Sequence, residues 1–386
     1  MRHFDFLSAD DRDRLFLHPP QEFGLDDPPS VLAVALGATL YIPATRPHLA
    51  ESIAKRAAQG VLSAVVCLED AIADADLPAA ERNAVAQLRS YARTDAPKPL
   101  VFVRVRAAEQ IPMVVAELGE QVGVLAGFVL PKFTEASGLA YLEAVTAAGE
   151  SAGRRMLAMP VLETREISYA EQRLNELLAV RELLEKYRPN VLAVRLGATD
   201  LSATYGLRRP RELTIYDVRL VADVISDVVN VLARADGSGW VVTGPVWEYF
   251  SGTERLFKPQ LRESPFIEHE ERSLRAELIA RDLDGLIREV LLDRANGLLG
   301  KTVIHPTHVA AVHALSVVTH EEFSDATDVL GTQAGGGVAA SSYRNKMNES
   351  KPHSAWARRI MQRAHAFGVA HESTSFVDLL GAGLHQ

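Results

Sequence analysis

Two acidic residues near the middle of the chain each follow a short apolar segment, and together they could bind a divalent metal ion. Glu163 comes directly after Leu157–Leu162, and Asp200 stands in the turn GATDL shortly after Val191–Leu196. If the two segments are neighbouring parallel strands, the helix-like spacer Ser168–Tyr187 is the crossover, and both carboxylates lie at one end of the sheet. Mg²⁺ takes one or two protein carboxylates and fills its other positions with water and substrate. The structural alternative is that Glu163 caps the next helix and Asp200 forms a turn.

Strand-like and helix-like segments alternate along most of the chain and would hold these residues in place. The strand candidates are short and apolar: Leu36–Ile42, Ala64–Leu68, Leu100–Val105, Gly127–Leu130, Leu157–Leu162, Val191–Leu196, Trp240–Thr243 and Thr302–Ile304. Helix-like spacers include His48–Gln59, Pro78–Tyr91, Glu135–Glu150, Ile215–Arg234 and Glu271–Asn296. Eight alternating units predict an α/β fold, a closed TIM (β/α)8 barrel. An open doubly wound sheet is the alternative, but no glycine fingerprint follows the first strand.

In a TIM barrel the chemistry lies on the loops at the C-terminal ends of the strands. Polar side chains stand at the ends of all eight predicted strands or just after them, in this order: Arg46, Glu69 with Asp70, Arg104 with Arg106, Lys132, Glu163, Asp200, Glu248 and His305. A single charge past a strand end is usually only solvated. A ring drawn from all eight strand ends predicts a functional site.

Composition and charge restrict the class of protein. The chain has 386 residues, 47% of them hydrophobic, which suits one large barrel with additions, and its formal charge of −9 argues against nucleic-acid binding. The single cysteine, Cys67, excludes an internal disulfide framework and a cysteine-based zinc site, and its apolar surroundings predict burial. The longest apolar run, Val31–Ala44, is too short to cross a membrane, and the N-terminus is polar and acidic. We therefore expect a cytoplasmic protein without a membrane partner.

Three regions are predicted: a polar leader over residues 1–30, the barrel over 31–318 and a C-terminal helical extension over 319–386. The extension contains the glycine-rich hinge GTQAGGG, the polar segment SSYRNKMNESKPH and an amphipathic helix near Trp356–Phe367. This layout suits a lid or an arm that reaches another subunit. A surface extension packed on the barrel wall is the alternative.

Seven motifs, read in order, resemble a known family. They are YIPATRP, VVCLEDAIADAD, VFVRVRA, GFVLPK, MPVLETRE, VRLGATDLSATYG and GKTVIHPTHV. Their order is that of the citrate lyase beta-subunit and malyl-CoA lyase superfamily, and the resemblance covers about residues 36–316. Leader, tail and long loops look most like the stand-alone carbon–carbon bond lyases of tellurium-resistance gene clusters. The resemblance implies a Mg²⁺-dependent TIM-barrel lyase or aldolase, with Mn²⁺ as an alternative ion, acting on a small anionic substrate, and we expect a homo-oligomer.

The resemblance also implies roles for individual residues. Glu163 and Asp200 match the metal ligands, whereas Arg46 and Arg104 match the arginines that hold substrate oxygens. Cleaving a carbon–carbon bond β to a carbonyl leaves an enolate, which a metal ion stabilises as a Lewis acid. A guanidinium adds a planar, two-pronged donor for a carboxylate.

Other matching residues carry charge close to the predicted metal site. Glu69 and Asp70 match the acidic pair that orients water or shuttles a proton, although a helix N-cap is the structural alternative. Lys132 matches the lysine after the fourth strand; we expect it to pair with Glu69 or the substrate, a Schiff-base role being the alternative. His305 would fix its loop or donate to substrate. His308 and His313 are expected on a helix surface.

The chain departs from the family pattern at several positions. Arg106 replaces a common asparagine and suggests a more anionic, even phosphorylated, substrate, and Asn348 replaces an acidic residue of the tail. The long loop GPVWEYFSGTER after the seventh strand suggests a different pocket, so coenzyme A recognition does not follow. The leading hypothesis is a lyase or aldolase acting on a keto acid, hydroxy acid or acyl thioester. The alternatives are a phosphoenolpyruvate-type transferase or mutase that uses Arg106, and a non-catalytic metabolite-sensing partner.

Overall fold

Eight parallel strands form a ring, and each neighbours the next one along the chain. The structure, a computed structural model, describes residues 1–70, 72–250, 283–331 and 337–384. Its strands are β1 Phe16–His18, β2 Ala38–Pro43, β3 Ser63–Cys67, β4 Leu100–Arg104, β5 Leu125–Leu130, β6 Leu157–Leu162, β7 Ala193–Leu196, β8 Val241–Thr243, β9 Lys301–Val303, β10 Val338–Ala340, β11 Met347–Glu349 and β12 Val369–Ala370. The order β8-β7-β6-β5-β4-β3-β2-β9 excludes the doubly wound alternative. A parallel bridge between Gly244 and Lys301 joins the two ends of this sheet.

Helices surround the ring and cover its outer face. The α-helices are α1 Ala9–Leu15, α2 Pro29–Ala35, α3 Leu49–Ala58, α4 Leu77–Ala92, α5 Gln110–Leu118, α6 Glu135–Ala152, α7 Arg165–Ser168, α8 Ala170–Lys186, α9 Ala198–Ala203, α10 Arg219–Leu232, α11 Leu283–Ala295, α12 Thr307–Ser316, α13 His320–Gly331, α14 Ser350–Phe367 and α15 Phe376–Leu384. The predicted TIM barrel is confirmed. None of the helices in the described ranges is long and apolar enough to cross a membrane.

The strands are buried on both faces, and this explains their sequences. Every residue of β3 (SAVVC), β5 (LAGFVL) and β6 (LAMPVL) is buried, as expected for parallel strands covered by helices outside and packed side chains inside. Cys67, the last residue of β3, is buried as predicted. The apolar residues of these segments therefore form the wall of the barrel, and the polar residues that could take part in chemistry lie at or after the strand ends.

The leader and the C-terminal extension pack at the end of the barrel where the strands begin. β1 pairs with β12, α14 packs on α2, and Arg359 donates to the carbonyl of Ala233 at 2.6 Å. α2 precedes β2, and Ala233 precedes β8, so these contacts lie opposite the strand ends that carry the predicted site. The described part of the extension therefore does not form a lid over this chain's own site. The arm to another subunit remains a prediction, and most of the predicted hinge, residues 332–336, falls outside the described residues.

The expectation that His308 and His313 lie on a helix surface is wrong. Both are buried, at 0% and 3% exposure, because α12 packs between the barrel, the leader and α15. The Nε2 atom of His313 accepts a hydrogen bond from the backbone N–H of Ala38 at 3.1 Å, and its ring meets the edge of His3. The covering elements come from the two ends of the chain, so no local pattern could reveal this burial.

Burial lowers the pKa of His3 and of His308 to about 4 and lowers that of His313 well below its ordinary value. Between pH 6.5 and 4 the unfolded chain binds protons that the folded chain excludes, so these groups stabilise the fold at neutral pH and lose that contribution on acidification. For His3 the loss amounts to about 3 kcal/mol.

We expect His3→Gln, which keeps a donor for the carbonyl of Ala35, to flatten this acid dependence of the free energy of unfolding. Chemical denaturation at pH 7.5, 6.5, 5.5 and 4.5 measures it. Glu163 and Asp293, whose pKa values burial raises to about 7 and about 6, act in the opposite sense, so the difference between variant and wild type is the relevant quantity. His48→Gln, at an exposed position, is the control. Equal slopes for wild type and His3→Gln would contradict the prediction.

Candidate active site

Arg104 lies at the centre of a cluster of carboxylates on the rim of the barrel. It is the last residue of β4, and its Nη2 atom lies 2.8 Å from Glu69 Oε2, 2.9 Å from Glu163 Oε1 and 3.4 Å from Asp70 Oδ2. Both glutamates are 4% exposed, so these are charge-assisted contacts shielded from water. Burial alone would lower the pKa of Arg104, but Glu163 and Glu69 raise it overall. One guanidinium thus organises side chains from two different loops, those after β3 and β6.

Lys132 completes the cluster with both its backbone and its side chain. Its φ of 47° is unusual for a residue other than glycine, and its backbone N–H donates to Glu163 Oε1 at 2.9 Å. Its ammonium pairs with Glu69 and lies 3.0 Å from Asp70 Oδ1. This is the predicted contact with Glu69. Although burial opposes the charge, these hydrogen bonds raise the pKa of Lys132, and a firmly protonated amine is a poor Schiff-base nucleophile.

Glu163 is the most enclosed carboxylate of the site, and Gly197 makes room for it. A Cβ atom at Gly197 would lie 2.0 Å from Glu163 Oε2, so only glycine allows the carboxylate to rest against the β7–α9 loop. Thr164, not Glu163, is the residue before α7, and Glu163 makes no capping bond. The structural alternative for Glu163 is therefore wrong, and Oε2 faces the loop that carries Asp200.

Asp200 lies in the first turn of α9, close enough to the other carboxylates to be repelled by them. Burial raises the pKa of Asp200, and the charge of Asp70 raises it further. Burial also raises the pKa of Glu163 to about 7; Arg104 opposes this shift, and the charge of Asp200 adds to it. A divalent cation between these oxygens would relieve the repulsion.

The surroundings of Glu69 and Asp70 shift the pKa values of these two neighbouring carboxyls in opposite directions. Burial and the hydrogen bond with Asp70 raise the pKa of Glu69, whereas hydrogen bonds with Glu69 and Lys132 hold the pKa of Asp70 below its usual value despite burial. Neither residue caps the next helix, because the residues before the 3₁₀ turn at 74–76 and before α4 are Ala73 and Asp76. Two adjacent carboxyls with opposite shifts suit proton transfer.

The donor set fits a hard divalent cation. In the ranges that the structure describes, no group of three or more His, Cys, Asp and Glu side chains has metal-binding spacing. Glu163 with Asp200 nevertheless supplies the one or two carboxylates that Mg²⁺ ordinarily takes. The Gly197 cradle leaves Glu163 Oε2 directed at the Asp200 loop, so the residues present suit Mg²⁺ better than a softer ion.

The other predicted site residues make their described hydrogen bonds and ion pairs with groups outside this cluster. Arg46 is exposed, and its carbonyl accepts a hydrogen bond from Asn83 at 2.9 Å. Arg106 donates to the carbonyl of Ile72 at 2.7 Å and pairs with Asp74, so it holds the β3–α4 loop.

The two last strand ends carry Glu248 and His305. Glu248 accepts from the hydroxyl of Thr199 at 2.9 Å, which connects the loop after β8 to the residue before Asp200. His305 shares a hydrogen bond of 2.7 Å with Thr307 and stacks on Phe250, so it fixes its loop as predicted. The rest of the loop after β8, from residue 251, lies outside the described residues.

Two residues beneath the cluster were not singled out in the sequence. Burial raises the pKa of Tyr41 on β2, and the charges of Arg195 and Arg104 oppose this shift. The guanidinium carbon of Arg195 on β7 lies 5.5 Å from the centre of the Tyr41 ring. The available signal was an arginine inside the apolar strand AVRL, where a charge is costly to bury.

The chain matches a protein-family model. A model of the family described as C–C bond lyase of the TIM-barrel fold matches residues 30–369. A search of curated proteins found no match.

Solved structures with the same fold are also similar to this chain. A citrate lyase from Burkholderia xenovorans LB400 is 16% identical with a TM-score of 0.61, covering 92% of this chain and 97% of that one. CitE from Mycobacterium tuberculosis, in complex with magnesium, acetoacetate and coenzyme A, is 21% identical with a TM-score of 0.51 and coverages of 86% and 99%. The malate synthase magnesium/glyoxylate complex from Haloferax volcanii is 15% identical with a TM-score of 0.50 and coverages of 71% and 73%. These likenesses show the shared fold.

Proposed function

Because the chain belongs to the family of carbon–carbon bond lyases of the TIM-barrel fold, we propose that it is a Mg²⁺-dependent lyase or aldolase acting on a small anionic keto acid, hydroxy acid or acyl thioester. The observation that carries this proposal is the cluster on the barrel rim. Glu163 and Asp200 lie close enough there for the charge of Asp200 to raise the pKa of Glu163, and Arg104 and Lys132 bring positive charge beside them.

Each residue has a task in such a reaction. Glu163 and Asp200 would hold the ion, which when bound supplies Lewis-acid charge next to the substrate carbonyl. Arg104, whose side chain is 12% exposed, would offer a donor to a substrate oxygen as negative charge grows there. Glu69, with its raised pKa, would hold a proton, and Asp70, with its lowered pKa, would accept one. Lys132 keeps these two carboxyls in place.

Similar proteins suggest which substrates to try first. CitE was solved with magnesium, acetoacetate and coenzyme A, and the malate synthase with magnesium and glyoxylate, so small acids with a carbonyl group and their thioesters are the natural panel. The phosphate hypothesis gains no support, because Arg106 bonds Ile72 and Asp74. It stays a prediction, as do the homo-oligomer and the cytoplasmic location.

The proposal predicts that Mg²⁺ is required both for ligand binding and for turnover. The purified chain, stripped with EDTA, should gain thermal stability from a small keto acid only after Mg²⁺ is restored, because a ligand stabilises the state it binds. A panel of hydroxy and keto acids extended by three or four carbons, tested as free acids and as thioesters, should be cleaved only when Mg²⁺ is present. Mass spectrometry detects the cleavage products. Phosphorylated and unphosphorylated members separate the transferase alternative. Ligand binding with no turnover on the panel would favour the non-catalytic partner.

A further inference from the structure

Arg195 is a cation enclosed in the interior of the barrel. Arg195 is 1% exposed, and no carboxylate of the described residues lies within 4.0 Å of its guanidinium. Instead, Nη1 lies 3.4 Å from Thr39 Oγ1 and 3.7 Å from the sulfur of Met159, and Nη2 donates to the hydroxyl of Thr302. Its Nε is buried without a hydrogen-bond partner among the described residues. The described groups that contact this charge on the side of the strand starts are all neutral.

Such a residue should make the fold less stable than an apolar one would. A buried ion without a counter-ion loses its hydration and recovers little from hydroxyl dipoles. Arginine also stays protonated in proteins, so it cannot escape the cost by losing its charge. Other buried arginines of the chain have an acid beside them: Arg173 pairs with Asp227 and Arg209 with Glu289. Arg195 is an exception among these, and stability does not explain it.

The charged groups near Arg195 belong to the rim. Its guanidinium carbon lies 5.5 Å from the centre of the Tyr41 ring, and the charge of Arg104 repels it. Burial raises the pKa of Tyr41, the charges of Arg195 and Arg104 oppose that shift, and the charge of Glu163 adds to it. Tyr41 is therefore within electrostatic reach of both the buried cation and the carboxylate cluster.

The position of Arg195 matters for the net charge of the site. The cluster contains four carboxyl groups (Glu69, Asp70, Glu163 and Asp200) and two cations (Arg104 and Lys132), so with every group ionised a bound divalent cation brings the sum to zero. Arg195 adds one further positive charge, whether or not Glu69 holds a proton. A positive charge fixed beneath the site attracts an anionic ligand and acts most strongly where water is excluded.

We propose that Arg195 is a positioning residue, which holds the Tyr41 ring, and with it the phenol hydroxyl, beside the site and gives the metal-loaded site its preference for an anionic, enolate-like ligand. This inference rests on the proposed function and deepens it. Arg195 acts through Tyr41 and through its charge, without touching the substrate.

Calorimetric titration with Mg²⁺ and then with oxalate, a planar dianion that resembles an enolate, tests this role. For Arg195→Met, of similar length and apolar, we expect Mg²⁺ affinity within about threefold of wild type, oxalate affinity reduced at least tenfold, and a melting temperature unchanged or higher. Tyr41→Phe should also weaken oxalate binding, and Arg195→Lys should recover part of it. Arg173→Met is the matched control, a buried arginine outside the cluster, and should lose stability but keep oxalate binding.

Three results would overturn the inference. Oxalate binding by Arg195→Met equal to that of wild type excludes the charge role. A loss of stability like that of Arg173→Met, with Arg195→Lys restoring the melting temperature but not the oxalate affinity, assigns Arg195 to structure alone. If wild type with Mg²⁺ does not bind oxalate at all, the proposed function fails and the inference falls with it. The first two results leave the proposed function standing.

Discussion

Glu163→Gln is expected to abolish Mg²⁺ binding in calorimetry and to lower turnover by about a hundredfold to a thousandfold, the usual cost of one preorganised group. Glutamine has almost the same shape and still accepts hydrogen bonds from Arg104 Nη2 and the Lys132 N–H, so the fold should persist. What it removes is the negative charge that a hard cation requires. Circular dichroism and the melting temperature check that the barrel is intact.

A matched control and a neighbouring variant sharpen this result. Glu166→Gln changes the same residue type three positions later, at an exposed site on α7, and should leave Mg²⁺ affinity unchanged. Gly197→Ala leaves every charge in place but puts a Cβ where Glu163 Oε2 now lies, so it should weaken Mg²⁺ binding by displacing the carboxylate. Undiminished Mg²⁺ affinity in Glu163→Gln would remove this residue from the metal site.

The barrel was predictable because its strands are buried on both faces. A parallel strand with two covered faces is a short apolar segment, and the segments between such strands are long enough to be helices. The positions of the eight strands could therefore be predicted from the amino-acid sequence. β6 has the predicted bounds, Leu157–Leu162. β2 begins at Ala38, two residues after the prediction, because Leu36 caps α2 and Gly37 turns the chain with a φ of 56°.

The two ends of the chain could not be placed from the sequence. β1 and β12 pair across more than three hundred residues, Phe16 opposite Ala370, and each strand is too short to show a periodic pattern. The same long-range packing buries His313 and turns the extension away from the rim. Contacts of this kind depend on the whole fold, which local propensity does not describe.

Which residues belong to the site was easier to predict than which of them are in contact. Strand ends identified Glu69, Arg104, Lys132 and Glu163, because the fold class alone sends those residues to one rim. Which side chains then touch depends on rotamers and on single backbone angles, such as the φ of Lys132 that directs its N–H to Glu163. Arg195 was missed because it lies inside a strand, where the sequence was read as uniformly apolar.

Arg104→Lys is expected to reduce kcat/KM by about a hundredfold or more while the protein stays folded. Lysine keeps the positive charge, but its single ammonium cannot reproduce a planar guanidinium that meets Glu69 and Glu163 and still directs donors at a substrate. Steady-state kinetics on the substrate found by the panel measures the effect. Arg155→Lys, on the exposed side of the barrel, is the control and should change neither activity nor stability.

Arg104→Met separates catalysis from folding at the same position. Methionine leaves Glu69 and Glu163 buried without the cation between them, and breaking a buried ion pair on one side typically costs about 3–5 kcal/mol. The melting temperature should therefore fall clearly in Arg104→Met and little in Arg104→Lys, whereas activity should be lost in both. Full activity in Arg104→Lys would mean that only the charge matters and would exclude a geometric role for the guanidinium. A joint loss of stability and activity in both variants would mean that Arg104 holds the carboxylates together and contributes no donor of its own.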